Sequence, residues 1–415
     1  MSEIAQAPHS SPDGKIPQLR FPEFNDNWEE QKVGSFMVER NKKSPKSEAF
    51  PLMSFVARKG VTEKGKRYNR EFLVNDEGGK KYKQTEYGDF IYSSNNLETG
   101  SIGLNKYGAA TISPVYSIFQ ITDTCNYEFV SSSLVTKIFI HKMVRFRQGV
   151  VYGQWRIHES DFLKIQVELP SLEEQTKIAS FLSSIDSKIE QLSKKQELLG
   201  EYKKGLMQQI FSQVIRFKAD DGCDFPDWKE KKLGDVGNFY RGHSYNSTNV
   251  KDSGLLVLRS SNIKNDSLIL DNDLQFVNKD CSDNVSLKTN DIVICMANGS
   301  KRLVGKSGIY HGDYNGKLTV GAFCSIFRTD NLLSKYILQT VQYRKYLHIL
   351  LAGTNINNLK NSELSELTFN LPVSSFEQAK IANFLSSIDN KIEQVDKQLD
   401  ESKQFKKALL QQMFV

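Results

Sequence analysis

The chain carries the stretch EQTKIASFLSSIDSKIEQLSKKQELLGEYKKGLMQQIF, from Glu174 to Phe211, a second time as EQAKIANFLSSIDNKIEQVDKQLDESKQFKKALLQQMF, from Glu377 to Phe414. About 22 of the 38 positions are identical in a gapless alignment. A period near 200 residues is too long for a solenoid repeat. Because each copy follows roughly 150 residues of globular composition, the order is module, long helix, module, long helix, with internal pseudo-twofold symmetry.

The modules also repeat, although more faintly. Trp28-Glu-Glu-Gln-Lys-Val-Gly34 corresponds to Trp228-Lys-Glu-Lys-Lys-Leu-Gly234, and a Phe-Pro pair precedes each of them. A duplication that keeps the helices similar while the modules diverge indicates that the helices face a common partner and that the modules face different targets.

Apolar residues recur along both helical copies at spacings of three, four and seven, which is typical of a coiled-coil seam. The central seam positions are Ile185, Ile189, Leu192, Leu199, Ile388, Ile392, Val395 and Leu399. Polar residues such as Gln196 and Lys203 interrupt the seam, a device that fixes register. A helix of this length spans about 57 Å at 1.5 Å per residue, and two packed antiparallel would form a rod. The alternative is that each helix packs only on its own module.

Composition is that of an ordinary globular chain long enough for two domains plus connectors. No apolar run approaches the roughly 18 residues of a membrane span, and the first residues lack the basic and apolar portions of a signal peptide, so we expect a cytoplasmic location. The five cysteines show no Cys-x-x-Cys pair and no nearby histidine at metal-ligand spacing. We therefore expect reduced, mostly buried thiols and no bound metal.

The net charge of +6 favours nucleic acid only mildly over other partners. Its distribution is more informative, because a basic segment interleaved with aromatic and glycine residues can follow phosphates. This segment contributes the candidates Arg58, Lys59, Lys64, Lys66, Arg67 and Arg70. The alternative is an ordinary solvated surface loop.

Motifs for chemistry are missing from the sequence. It has no Gly-x-Gly-x-x-Gly, no Walker loop, no Asn-Pro-Pro-aromatic or Asp-Pro-Pro-aromatic methylation motif and no His-Glu-x-x-His, and its six histidines are scattered. We therefore expect no catalytic residues and no cofactor in this chain.

The junction between module and helix is the most specific signature. Leu-Pro, at Leu169 and Leu371, is followed by Glu-Gln-x-Lys-Ile-Ala-x-Phe-Leu-Ser-Ser-Ile-Asp-x-Lys-Ile-Glu, and each module opens with Trp-x-Glu-x-Lys, an apolar residue and Gly. This pattern resembles the specificity (S) subunit of type I restriction-modification systems, over almost the whole chain from about Pro17.

The resemblance implies two α/β (mixed α+β) target-recognition domains joined by two long antiparallel coiled-coil helices. The expected boundaries are a polar tail at 1–16, target-recognition domains at 17–170 and 215–372, and spacer helices at 171–214 and 373–415. Each domain would read one half of a bipartite, asymmetric site in double-stranded DNA. The helices would set the spacing and dock two modification (methyltransferase) subunits, which direct adenine methylation, and restriction (endonuclease/translocase) subunits would join for cleavage. S-adenosylmethionine, ATP and magnesium are expected on those partner subunits.

Base-edge readers should be amide, hydroxyl or basic side chains on loops that follow strands, because these offer paired donors and acceptors to the grooves. The candidates in the second module are Arg259, Ser261, Asn262, Asn298, Ser300, Lys301, Arg302, Asn355, Asn357, Asn358 and Lys360. Those in the first are Asn95, Asn96, Tyr152, Gln154 and Arg156, in addition to the basic segment. For any one of them, an ordinary turn is an equally good interpretation.

Two alternatives from other classes remain open at this point. One is a coiled-coil scaffold whose modules bind proteins; it would show little salt-dependent DNA affinity. The other is a fused recognition-methylation enzyme, which requires a cofactor-binding motif that the sequence does not contain.

Overall fold

The chain forms two compact units in the computed structural model, which describes residues 5–6, 16–63, 80–150, 154–352 and 357–414. Unit 1 consists of Met1–Ser193 together with Lys397–Val415, and unit 2 consists of Lys194–Asp396. Both boundaries fall inside the two long helices. Each long helix therefore contributes its first part to one unit and its last part to the other.

Unit 1 is built from short strands, three α-helices of its own, the beginning of the first long helix and the end of the second, among its described residues. Its strands are β1 Ala5–Gln6, β2 Leu19–Arg20, β3 Glu29–Lys32, β4 Met37–Glu39, β5 Lys43–Ser44, β6 Ser54–Val56, β7 Gly60–Thr62, β8 Tyr82–Thr85, β9 Phe90–Tyr92, β10 Ile102–Leu104, β11 Ala110–Ile112, β12 Ser117–Ile121, β13 Gln148–Val150, β14 Gln154–Arg156 and β15 Gln166–Leu169. Its helices are α1 Tyr127–Leu134, α2 Lys137–Val144, α3 Glu159–Phe162 and the beginning of α4 Leu172–Phe211.

The central sheet of unit 1 has the order β10-β9-β12-β4, and all its pairs are antiparallel. A second sheet has the order β11-β8-β5, and the remaining strands form two-stranded pairs. Aromatic and β-branched residues dominate the buried central strands, as in the Phe-Ile-Tyr of β9, because such side chains pack well on a pleated surface.

Unit 2 contains the end of α4, its own strands and helices, and the beginning of the second long helix. The strands are β16 Lys229–Lys232, β17 Asn238–Arg241, β18 Val250–Lys251, β19 Leu255–Leu258, β20 Ile263–Lys264, β21 Ser267–Leu268, β22 Phe276–Val277, β23 Ile292–Cys295, β24 Ser307–Ile309, β25 Leu318–Val320, β26 Cys324–Arg328 and β27 Thr368–Leu371. The helices are α5 Leu233–Val236, α6 Ser334–Ile337, α7 Val341–Ala352, α8 Asn361–Ser365 and α9 Ser375–Gln412.

The sheets of unit 2 are mixed. A six-stranded sheet has the order β17-β26-β23-β24-β21-β20, with β21 parallel to β24. A four-stranded sheet has the order β18-β22-β19-β25, with β19 parallel to β25. The continuous apolar runs Leu255–Leu258 and Ile292–Cys295 are fully buried, as expected for strands covered on both faces. The predicted mixed α/β class with two long helices is confirmed.

In each module, the last strand before the long helix pairs with the strand that follows the first tryptophan. In unit 1, β15 pairs antiparallel with β3, which follows the Trp28 position. In unit 2, β27 pairs with β16 in the same arrangement after Trp228. The junction that is most similar between the two sequence repeats thus forms the same structure twice.

A buried charge network anchors the start of each long helix. Glu174 accepts hydrogen bonds from Nε and Nη2 of Arg20, both at 2.7 Å, and from the Trp28 indole N–H at 3.4 Å. Arg216 and the Trp228 indole N–H donate to Glu377 in the equivalent arrangement, the indole at 3.0 Å. The carboxylates are 1% and 0% exposed, and each lies in the first helical turn, where the backbone N–H groups favour negative charge.

The core of each unit contains parts of both long helices. In unit 1, Ile178 and Leu182 of α4 belong to one buried cluster with Leu409 and Met413 near the end of α9. In unit 2, Met207 and Ile210 from the end of α4 share a cluster with Ile381 and Leu385 of α9. A unit is therefore completed by a helix end that belongs to the other sequence repeat.

Ion pairs join the helices within each unit. In unit 2, Lys203 contacts Asp389 at 2.7 Å and Gln196 donates to Asp396 at 2.5 Å, so residue numbers rise along one helix as they fall along the other. This is the antiparallel pairing that the seam predicts. In unit 1, Lys406 pairs with Asp186. The polar residues that interrupt the predicted seam at these positions are thus paired side chains.

Among the described residues, no helix is long and apolar enough to cross a membrane. All five cysteines are free thiols; Cys295 and Cys324 are buried, Cys125 and Cys281 are half-buried, and Cys223 is exposed. The expectation of mostly buried thiols therefore holds for only part of the set.

Candidate nucleic-acid interface

Three loops of unit 2 that are distant in sequence meet beyond the buried strands β19 and β23. Asn298 donates from its side chain to the Ser260 hydroxyl at 3.3 Å and from its backbone to the Asn357 carbonyl at 3.3 Å. The Asn357 side chain donates to the Gly299 carbonyl at 3.0 Å. Segments 259–262, 298–302 and 357–360, which hold the sequence candidates, therefore form one surface, which we call the unit 2 loop cluster.

Exposure separates the candidates within the unit 2 loop cluster. The exposed members are Ser261, Ser300, Lys301, Arg302, Asn358 and Lys360, and Arg259, Asn298 and Asn357 are half-buried. Lys301 donates to the Leu351 carbonyl at 3.1 Å, and Arg259 is paired with Asp273 at 2.5 Å. Amide and hydroxyl groups next to exposed cations suit contacts to base edges and phosphates, respectively.

The structure changes the interpretation of Asn262 as a candidate base-edge reader. Its side chain is 1% exposed. The amide oxygen accepts the Arg259 backbone N–H at 2.9 Å, and the amide nitrogen donates to backbone carbonyls of the loop that follows, including that of Asp273 at 3.2 Å. Since every donor and acceptor of a buried amide must be satisfied, Asn262 shapes the loop and we do not propose it as a base reader.

Unit 1 brings three loops together in the corresponding place. The Asn95 side chain accepts the Trp155 backbone N–H at 2.6 Å, and the Arg58 backbone N–H donates to the Gly100 carbonyl at 2.9 Å. Segments 58–59, 93–100, 147–150 and 154–157 therefore form a surface that we call the unit 1 loop cluster. Its exposed candidates are Arg58, Lys59, Asn95, Asn96, Gln154 and Arg156.

The remaining candidates lie outside the described residues. They are Lys64, Lys66, Arg67, Arg70, Tyr152 and Asn355. They remain predictions.

The segments of the two loop clusters lie at matching positions of the two sequence repeats, but their local structure differs. In unit 1 the third segment is the β13–β14 hairpin, whereas in unit 2 it is a single extended stretch that forms an isolated bridge from Asn358 to Ala297. The modules thus offer different side chains from equivalent places, as expected for readers of different targets.

One cation of the unit 1 loop cluster is paired with a carboxylate. Arg147 binds Glu98 through two parallel hydrogen bonds of 2.6 and 2.7 Å, and this contact lowers the pKa of the Glu98 carboxyl. Arg147 is therefore held by a carboxylate. Sequence analysis did not single out Glu98, because its partner lies 49 residues away.

The chemical character of the two loop clusters is set by their exposed polar side chains. In the part of the chain that the structure describes, no group of three or more His, Cys, Asp or Glu side chains is placed to hold a metal ion. What the clusters offer are amides, hydroxyls and cations on exposed loops. Such groups can bind a nucleic acid.

The seam residues of the long helices face inward. Ile185, Leu192, Ile388, Val395 and Leu399 are buried, and Ile189, Leu199 and Ile392 are half-buried. Ile185 belongs to the buried cluster of unit 1, and Ile189 packs against it. Since none of the eight seam residues is exposed, an exposed surface of the long helices lies on another face.

Two exposed aromatic residues mark such a face. Tyr202 is 56% exposed and Phe405 is 45% exposed, and they occupy the same position in the two helical repeats, 203 residues apart. Sequence analysis missed them because they lie off the apolar seam. The available signal was an aromatic ring retained in both copies outside that seam.

The family model for the type I restriction modification DNA specificity domain matches the chain twice, over residues 25–199 and 226–402. The type I restriction enzyme MjaVIII specificity subunit of Methanocaldococcus jannaschii is 26% identical over 94% of this chain and 92% of its own length. The EcoKI specificity subunit of Escherichia coli is 30% identical over 41% of this chain and 37% of its own length.

Solved structures share the fold. The S subunit of a type I restriction-modification system from M. genitalium matches with a TM-score of 0.61 at 16% identity, over 96% of this chain and 99% of that one. A chain from a structure concerned with complex assembly and conformational transition of the type I R-M system matches with a TM-score of 0.51 at 16% identity, over 94% of this chain and 97% of that one.

Proposed function

The chain belongs to the type I restriction modification DNA specificity family, and on that premise we propose that its two modules read the two halves of a split, asymmetric DNA site. Its role is DNA sequence specificity in a type I restriction-modification system. The target-recognition domains are residues 17–170 and 215–372, and the spacer helices are 171–214 and 373–415. One observation carries the proposal: loop clusters in equivalent places present different side chains in the two units.

Partner subunits supply the chemistry in this proposal. Two modification subunits bind S-adenosylmethionine and methylate adenine, and restriction subunits use ATP and magnesium for translocation and cleavage. The specificity chain contributes no catalytic residue; it holds the duplex in register so that the partner can flip the target base. The proposed location is the cytoplasm, because the substrate is cellular DNA.

The docking sites for the two modification subunits are the helix faces around Tyr202 and Phe405. Exposed aromatic rings are common anchors of protein interfaces. A partner present in two copies requires the same anchor twice, and these two rings are related by the sequence repeat. Each unit contains one of them, since Tyr202 belongs to unit 2 and Phe405 to unit 1.

The test is single-molecule sequencing of adenine methylation in cells that carry this chain with its modification subunit. The expected result is a split asymmetric motif that is absent from cells without the chain. The triple variant Ser261→Ala, Arg302→Ala, Asn358→Ala should relax one half of the motif and leave the other unchanged. A modification subunit that is active beside another specificity chain but gives no new motif here would contradict the proposal and favour the coiled-coil scaffold.

A further inference from the structure

We propose that the β13–β14 hairpin of unit 1 enters the DNA major groove as a two-stranded ribbon, and that the loop carrying Ser94, Asn95 and Glu98 acts as a clamp that fixes its position. The inference rests on the proposed function and adds a mode of reading for one half-site. The major groove, about 12 Å wide, accepts a two-stranded β-ribbon.

The hairpin has two chemically different faces. Gln148 lies opposite Arg156, and Gln154 precedes Arg156 by two residues on the same strand, so these three positions share one face. Trp155 is on the other face, opposite Gly149, where a Cβ would lie 4.0 Å from the indole ring. One face of the ribbon is thus lined by amide and guanidinium groups.

The clamp contacts the hairpin region at three points. Arg147 and Glu98 form the paired hydrogen bonds at the start of the first strand. On the second strand, the Trp155 N–H donates to the Asn95 amide oxygen at 2.6 Å, and the Ile157 N–H donates to the Ser94 hydroxyl at 3.0 Å. Side chains therefore occupy the edge of β14 where a third strand would otherwise pair.

These contacts divide the candidates into base readers and positioning residues. Asn95 already accepts a backbone N–H, so it is a positioning residue, as are Ser94 and Glu98. Arg156 lies 3.7 Å from Glu159, which competes for its guanidinium. Gln154 is exposed, and a glutamine amide can pair with both N6 and N7 of adenine. Gln154 is therefore the base reader that this geometry favours.

The clamp includes an ion pair. Arg147 binds Glu98 through hydrogen bonds of 2.6 and 2.7 Å, and this contact lowers the pKa of the Glu98 carboxyl. Among the described residues of unit 2, segment 357–360 of the loop cluster is held through Asn298 and Asn357. The proposed reading mode concerns unit 1.

The first experiment uses the full chain in complex with its modification subunit. Methylation kcat/KM is measured on the cognate site, on DNA with either half-site scrambled, and for Gln154→Ala. The variant should reduce discrimination at one half-site about 5- to 150-fold, the size of one paired base contact. Asn358→Ala, in unit 2, should affect only the other half-site. Equal discrimination by Gln154→Ala and the parent chain would overturn the assignment.

The clamp is tested by exchange of its charges. Glu98→Arg alone should reduce discrimination at the same half-site about tenfold or more, as expected for loss of a contact worth about 1.4 kcal/mol. The double variant Glu98→Arg, Arg147→Glu should restore it to within about threefold of the parent. A purely structural role would lower the thermal midpoint of all these variants without this rescue of specificity.

Alkylation provides an independent readout. In the variant Gln154→Cys, the new thiol lies on the same face of the ribbon as Gln148 and Arg156. Cognate DNA should protect this thiol from iodoacetamide, whereas the exposed Cys223 serves as the internal reference. If the parent discriminates at both half-sites but this thiol stays equally reactive on DNA, the ribbon is wrong and the proposed function stands. If the parent discriminates at neither, the proposed function itself fails.

Discussion

Lys203 forms an ion pair with Asp389 in unit 2, and the residues that correspond to them in the sequence repeat, Lys406 and Asp186, form the same pair in unit 1 with the roles of the two helices exchanged. The pairs differ in their surroundings. Lys203 is 13% exposed and also donates to Gln339, and Asp389 accepts the Tyr336 hydroxyl at 2.9 Å. In unit 1 the aspartate is 43% exposed.

Replacement of the two lysines should therefore have unequal effects on stability. Lys203→Met should destabilise unit 2 by about 1 to 3 kcal/mol, because it removes the contacts of a largely buried cation with Asp389 and Gln339. Lys406→Met should cost less than about 1 kcal/mol, since exposed ion pairs contribute little. Urea unfolding of both variants checks this, and equal losses would contradict the proposed role of burial.

The buried glutamates should be much less tolerant of substitution. Glu377→Ala leaves the Arg216 guanidinium and the Trp228 indole without their acceptor, and we expect a loss of about 3 to 5 kcal/mol. Glu174→Ala should have a similar effect on unit 1. The matched control is Glu393→Ala on an exposed part of α9, which should change stability by less than about 0.5 kcal/mol. Differential scanning calorimetry measures all three.

Thiol reactivity should follow exposure and pKa. Burial raises the pKa of Cys324 to about 12 and also raises that of Cys295, so both thiols stay protonated and inaccessible at pH 8. Cys223 is exposed. Timed alkylation with iodoacetamide followed by mass spectrometry should modify Cys223 first, and the two buried thiols only after unfolding. Early modification of Cys324 would be inconsistent with the packing of unit 2.

Docking of modification subunits should depend on the two exposed helix aromatics. Tyr202→Ala with Phe405→Ala should weaken assembly about tenfold or more, without a change in thermal stability, because both rings are largely solvent-exposed in the chain alone. Each single variant should affect one of the two binding steps in analytical ultracentrifugation. Phe376→Ala is the control. This ring is 78% exposed, but the corresponding position of the other helical repeat is a glutamate, so the aromatic ring is not repeated. Unchanged assembly of the double variant would rule out this face.

The long helices were predictable because their signal is local. The repeat and its apolar spacing predict helices from Glu174 to Phe211 and from Glu377 to Phe414, and the structure has them at Leu172–Phe211 and Ser375–Gln412. A strand ends at the Leu-Pro pair before each helix, at Leu169 and at Leu371.

Contacts across long sequence separations were not predictable. Arg147 meets Glu98, and the Asn95 side chain meets the Trp155 backbone, only after both segments have been placed by the fold. The burial of Asn262 is another example, because an Asn after a strand has the same local sequence whether its amide caps a loop or points to solvent. The order of modules and helices and the candidate loops could thus be inferred from the sequence. Which candidate residues can contact bases, and which hold other residues in position, required the tertiary structure.

The participation of Leu409, Met413 and Phe414 in the core of unit 1 has a consequence for biosynthesis. The ribosome makes most of unit 1 first, then all of unit 2, and only then the helix end that completes the first core. Unit 2 is contiguous and can finish folding earlier, whereas unit 1 must wait with apolar surface uncovered. Nascent chains stalled before Leu409 should therefore carry a protease-resistant second unit beside a protease-sensitive first one.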